Sequence, residues 1–198
     1  MREEEEQKEA GRKRGAATAR ELCRIALFAA IIAVCAWISV PIGEIPVTMQ
    51  TMGICFAGAF LGCKRGTAAV AVYILLGLCG VPVFAGFTGG AAKLLLPRGG
   101  YIVGFLFTGF IVGLAADLCK VKNDWARTGI LAAAMVLGVA VCYAFGTAWF
   151  VALYHRAGKA VTVAGALSMC VVPYLLPDLV KIVVASLLVS RLKKYRER

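Results

Sequence analysis

Between residues 20 and 192 the chain is a succession of apolar runs, and no polar link between them is longer than DLCKVKNDWART, residues 117–128. A membrane-spanning helix needs about 20 predominantly apolar residues, so a chain of this pattern is expected to fold inside a bilayer, with no length left for an extramembrane domain. Composition agrees. Hydrophobic residues make up 61% of the sequence and mean hydropathy is +0.82, against about 45–50% apolar usage in soluble domains.

The pattern predicts an all-α integral membrane protein with six transmembrane helices over residues 21–40, 46–62, 66–80, 101–119, 129–153 and 163–192. Pro41 and Gly43 are expected to end the first. Residues 1–19 carry a run of four glutamates and then a basic stretch, and are expected to form a disordered cytoplasmic tail; they lack the apolar region of a cleavable signal peptide. Residues 20–192 then form the transmembrane domain and 193–198 a basic cytoplasmic tail. Of the 22 Lys and Arg residues, 17 fall on the side of the termini, the 64–65 turn and the 117–128 link. Lys93, Arg98, Arg156 and Lys159 fall on the other, and Lys181 lies within a span. The positive-inside bias places both termini in the cytoplasm. It also accounts for the net charge of +11 without nucleic acid.

One segment breaks the helical pattern. From Gly80 to Gly100 the sequence GVPVFAGFTGGAAKLLLPRGG contains six glycines and two prolines, so a continuous helix is not expected. Non-helical backbone survives at membrane depth only where protein or a water-filled cavity covers it. The segment therefore reads as the wall or lid of a site on the outer face.

Candidate chemistry is sparse. Asp178 and Lys181 stand three apart within the last apolar run, so they share a helical face; each charge near mid-membrane costs about 2.5–3.5 kcal/mol on insertion scales. Mutual neutralisation and a polar ligand site both fit. Pro173 and Pro177 nearby free backbone carbonyls that need partners. Gln50 opens the second helix beside Thr48 and Thr51, and its amide serves either a helix-to-helix hydrogen bond or a ligand. Arg98 suits a carboxylate or an interfacial anchor. Phe84, Phe87 and Tyr101 offer flat apolar walls, Thr88 lies between them, and Gly86, Gly89 and Gly90 permit close backbone approach to a ligand.

Ala26, Ala29, Ala30 and Ala33 recur at i, i+3, i+4 and i+7. That stripe suits either internal packing or the docking of another helix. The eight cysteines include no C-x-x-C and read as small apolar residues, and a single histidine, His155, supplies neither a metal cluster nor histidine catalysis. With no G-x-x-x-x-G-K-[ST], G-x-S-x-G or H-E-x-x-H, the chain is not expected to hydrolyse ATP or to be an enzyme; no catalytic residue, metal or cofactor is assigned.

The run from Pro46 to Gly90, with P-V-T-x-Q-T and G-x-P-V-F-A-G, the later R-G-G-Y of residues 98–101 and the Asp178–Lys181 pair resemble the BioY family, the biotin-specific S components of energy-coupling factor (ECF) transporters. The resemblance spans about residues 20–192 and departs at Phe87, where the family commonly has glycine. It implies a six-helix S-component fold in a prokaryotic plasma membrane that captures biotin from outside. It also implies docking to a transmembrane coupling protein, EcfT, and two cytoplasmic ATPases, with the alanine face of the first helix meeting the coupling protein. In such a site Asp178, Gln50 and Lys181 would read the ureido ring and Arg98 the carboxylate, or Lys181 would hold the carboxylate in the reverse orientation. Two further readings stand beside it: an S component for another small vitamin, and a membrane enzyme or channel using Asp178 and Lys181.

Overall fold

The computed structural model describes residues 2–40, 46–121, 123–158 and 161–196, without the side chains of 2–17 and 193–196. Pro41, Gly43, Lys122 and Lys159, which entered the expectations above, lie outside that set, as do the last two residues. Among the described residues there are seven α-helices: α1 (Arg2–Trp37), α2 (Gln50–Leu61), α3 (Cys63–Leu78), α4 (Gly99–Leu118), α5 (Asp124–Arg156), α6 (Val163–Cys170) and α7 (Val172–Arg196). Two short strands, β1 (Ser39–Val40) and β2 (Val47–Thr48), pair antiparallel between α1 and α2.

Two differences from expectation have local causes. The last apolar run is not one helix: it breaks at Val171, which leaves helical geometry at φ −123° and ψ −53°. Pro173 follows, in the first turn of α7, where its missing N–H belongs to the groups a helix start leaves unbonded anyway. At the amino terminus, α1 begins at Arg2, so backbone expected to be irregular is helical, in keeping with the strong helix propensity of Glu, Gln, Lys, Arg and Ala.

Three of these helices, α4, α5 and α7, are long and apolar enough to cross a membrane. By contrast, α2 has 12 residues, which is about 18 Å of helix against about 30 Å of hydrocarbon. Alone it falls short of that thickness, and its Gln50 end stops inside the protein. Polar caps set other boundaries: Asn123 accepts from the backbone N–H of Trp125 at the start of α5, and Thr162 from that of Gly165 at the start of α6.

Glycine sets the closeness of the packing. Helix α4 lies against α2, α3 and α5. A Cβ on Gly104 would meet Cys142 of α5, and one on Gly113 would meet the backbone of Cys63 at the start of α3. The four-residue glycine spacing in α4 thus serves helix contact. Three apolar clusters result. One joins α1, α2 and α3 around Ile32, Ile54 and Tyr73, a second joins α2, α4, α5 and α7 around Leu131 and Met135, and the third surrounds Phe150 and Tyr101.

The alanine stripe of α1 does not form one docking face. Ala29 and Ala33 are buried in the first cluster, at 2% and 7% exposure, whereas Ala26 and Ala30 are exposed. At 100° per residue the four alanines cover an arc of roughly 100°, which straddles the border between the side that packs on α2 and α3 and the outer side.

Candidate functional site

The irregular segment is the connection between α3 and α4. It runs on from Cys79 through a tight reversal and one 3₁₀ turn, Ala91–Lys93, to Gly99. Phe84 and Thr88 exchange two backbone hydrogen bonds, of 2.9 and 3.3 Å, across this reversal. At its tip Gly86 and Phe87 take φ of 70° and 55°, left-handed values that glycine tolerates and phenylalanine rarely adopts. This is the position where the resembled family favours glycine. Phe87, 65% exposed, lies outside the cavity and stacks on Trp37 of α1 at 5.1 Å. Trp37 also donates its indole N–H to the Pro82 carbonyl at 2.9 Å. The loop is thereby fastened to the end of α1.

The inner side of this loop closes a cavity of about 160 Å³. On the same measure a single water needs about 10–15 Å³, so the space is of small-molecule size. Its walls draw on all three apolar clusters, through Phe84, Val139, Tyr101, Cys142 and Cys170. Seven of the residues singled out from sequence meet here: Gln50, Phe84, Thr88, Arg98, Tyr101, Asp178 and Lys181. Gly86, Phe87, Gly89 and Gly90 do not line it. Gly89 packs against the Gly80–Val81 backbone, and Gly86 and Gly90 supply left-handed turns, so these residues shape the loop and do not face the cavity.

A buried polar cluster borders the cavity. Asp178 and Lys181 are each 6% exposed, and Lys181 Nζ donates to Asp178 Oδ1 at 2.7 Å. Tyr143 of α5 donates its hydroxyl to Asp178 Oδ2. Neutralisation within the protein and exposure to the cavity therefore hold together. Nearby, Gln50 Nε2 donates to the Tyr73 hydroxyl at 2.9 Å, and Tyr73 donates onward to the Val83 carbonyl at 3.2 Å. The Gln50 amide thus makes the helix-to-helix bond while its residue also borders the cavity.

The cavity also has cationic walls. Lys93 and Arg98 both line it, Arg98 exposed at the start of α4, and among the described residues neither has a carboxylate partner. Phe84, Tyr101, Phe105 and Tyr174 give it aromatic walls. Tyr101 is held by a 3.1 Å hydrogen bond to Thr147 of α5. Lys93, Tyr143 and Tyr174 were not singled out from sequence. A signal existed for Tyr143, since a phenol within an apolar span requires a hydrogen-bond partner.

Comparison with known proteins gives the family. The model of the BioY family matches residues 6–198. The chain is 41% identical over 175 residues to "Biotin transporter BioY" of Thermotoga maritima, covering 88% of this chain and 96% of that protein. It is 36% identical over 175 residues to "Probable biotin transporter BioY" of Pyrococcus horikoshii, with 88% and 97% coverage. Among solved structures, the crystal structure of "the S-component for biotin from an ECF-type ABC transporter" superposes with a TM-score of 0.76 at 29% identity, over 90% of this chain and 93% of that one. The fold, the cavity and these matches converge: this multi-pass membrane protein belongs to the BioY family.

Proposed function

We propose that the chain is the biotin-binding S component of an ECF-type ABC importer, which captures biotin at high affinity for uptake. The supporting observation is the set of groups that line one cavity: an Asp178–Lys181 pair, aromatic rings and two further cations, Lys93 and Arg98. Biotin has a ureido ring with N–H donors and a carbonyl acceptor, an apolar thioether ring and a carboxylate tail. The Asp178–Lys181 pair offers an acceptor and a donor for the ureido ring, the aromatic walls cover the thioether ring, and the open cations Lys93 and Arg98 receive the carboxylate. The orientation with the tail toward Arg98 is favoured because Lys181 is already engaged by Asp178. Gln50, Thr88 and Tyr101 complete the contacts.

Nanomolar capture requires about −12.3 kcal/mol, or about −0.8 kcal/mol for each of roughly 16 heavy atoms, within the ceiling for small ligands. Near-complete enclosure follows, and the loop of residues 79–98 supplies it. Titration of the purified chain with biotin, thiamine and riboflavin tests the assignment. Nanomolar biotin binding is expected; micromolar or weaker biotin binding beside tight binding of another vitamin overturns it.

The chain crosses the membrane six times, α6 and α7 together making the last crossing, with both termini in the cytoplasm and the cavity facing outward. That orientation rests on the distribution of Lys and Arg. Transport relatives displace the enzyme reading, and ATP hydrolysis belongs to the partners: a coupling protein, EcfT, and two cytoplasmic ATPases. On α1 the exposed alanines Ala26 and Ala30 offer the smooth surface for the coupling protein. Changing both to leucine is expected to leave biotin affinity unchanged and to reduce co-purification with the coupling module. Undiminished co-purification removes the docking assignment.

A further inference from the structure

Tyr143 is a tyrosine where packing alone asks only for a ring. It sits midway along α5, partly buried, against the second and third apolar clusters. Phenylalanine would fill that space equally, and burying a hydroxyl costs free energy unless it is bonded. The hydroxyl is bonded to Asp178 Oδ2, across the contact between α5 and α7.

We infer that Tyr143 is a positioning residue for ligand recognition, acting through the carboxylate of Asp178. The inference rests on the biotin-binding reading given above. Rotation about the last torsion of aspartate is broad and roughly two-fold, so a carboxylate needs more than one anchor to keep its plane. Lys181 bonds one oxygen, at 2.7 Å, but comes from the same helix on a flexible stem. Tyr143 takes the other oxygen from a different helix through a rigid ring. With one partner on each oxygen, a second lone pair on each remains for ligand N–H groups. The carboxylate is then oriented before the ligand arrives, and less ordering is left for the binding step.

The experiment is a double-mutant cycle on the full chain in detergent, with biotin as the probe. The wild type, Tyr143→Phe, Asp178→Asn and the double variant are titrated, and each is melted without ligand. Tyr143→Phe is expected to weaken biotin about tenfold when Asp178 is present and less than about twofold in the Asp178→Asn background. The unliganded melting temperature of Tyr143→Phe should stay within about 4 °C of wild type, the scale of one hydrogen bond. Unchanged affinity, or equal weakening in both backgrounds, overturns the inference, the second because the ring would then act by packing alone.

A second readout does not depend on weak binding. The infrared difference spectrum induced by biotin is expected to contain a carboxylate stretch that Asp178→Asn removes and Tyr143→Phe shifts. A band left in place by Tyr143→Phe overturns the inference. If the wild type itself fails to bind biotin tightly, the biotin-binding reading falls first, so the two failures are separable.

Discussion

Replacing Asp178 with leucine and Lys181 with methionine together is expected to abolish tight biotin binding while leaving the unliganded protein at least as heat-stable as the wild type. The expectation comes from the position of the pair. Both side chains are almost fully buried and bond each other at 2.7 Å, yet both border the cavity. Exchanging a buried ion pair for apolar residues of similar volume is often neutral or stabilising, by about 1–4 kcal/mol, whereas removing one partner costs about 3–5 kcal/mol. Asp178→Ala alone should therefore lower the melting temperature and weaken biotin by more than about tenfold, or 1.4 kcal/mol. The paired exchange separates these effects: the stability loss disappears and the binding loss stays. Wild-type affinity in the paired variant would falsify the assignment of Asp178 and Lys181 to the ligand, whatever the melting curves show.

The second large effect is expected at Gly77. A Cβ there would fall on the ring of Phe84, which lies beneath the loop and meets Tyr73 edge-on at 5.7 Å. Gly77→Val thus has to displace Phe84, an aromatic wall of the cavity and the partner of the Thr88 backbone. Overpacking of this kind costs about 1–3 kcal/mol, or several degrees in melting temperature. Biotin affinity should fall at least tenfold, because the displaced ring carries the loop with it. Adding Phe84→Ala should recover most of the thermal stability and little of the affinity. A Gly77→Val protein with normal melting and normal binding would mean that the ring has free space elsewhere.

These sites differ in how far sequence exposed them. The Asp178–Lys181 pair was legible because two charges in an apolar run have few places to go, and three-residue spacing puts them on one face. Arg98, Phe84 and Tyr101 were legible because a glycine-rich and proline-rich segment at that depth needs a cavity to border. The break at Val171 was less so, since a proline in an apolar run fits a kinked helix as well as two helices. Gly86, Phe87, Gly89 and Gly90 were assigned to the ligand, but a tight reversal points alternate residues inward and outward, and motif spacing does not say which. Ala29 and Ala33 were placed on the docking face because a small-residue stripe shows its width and not which neighbour covers it. Tyr143 depended on a contact between α5 and α7, and no local pattern in one sequence reports a partner 35 residues away.

A single residue, Gly62, separates α2 from α3, and Asp117 of α4 reaches across to accept from the backbone N–H of Cys63. At that pole of the bundle three helices are clamped with no spare chain between the first two. By contrast, the connection between α3 and α4, residues 79–98, is long. Slack is therefore distributed unevenly, all but absent between α2 and α3 and ample in the loop that borders the cavity. On the proposed reading, entry and exit of a ligand fall to that loop, working against a fixed joint between α2 and α3.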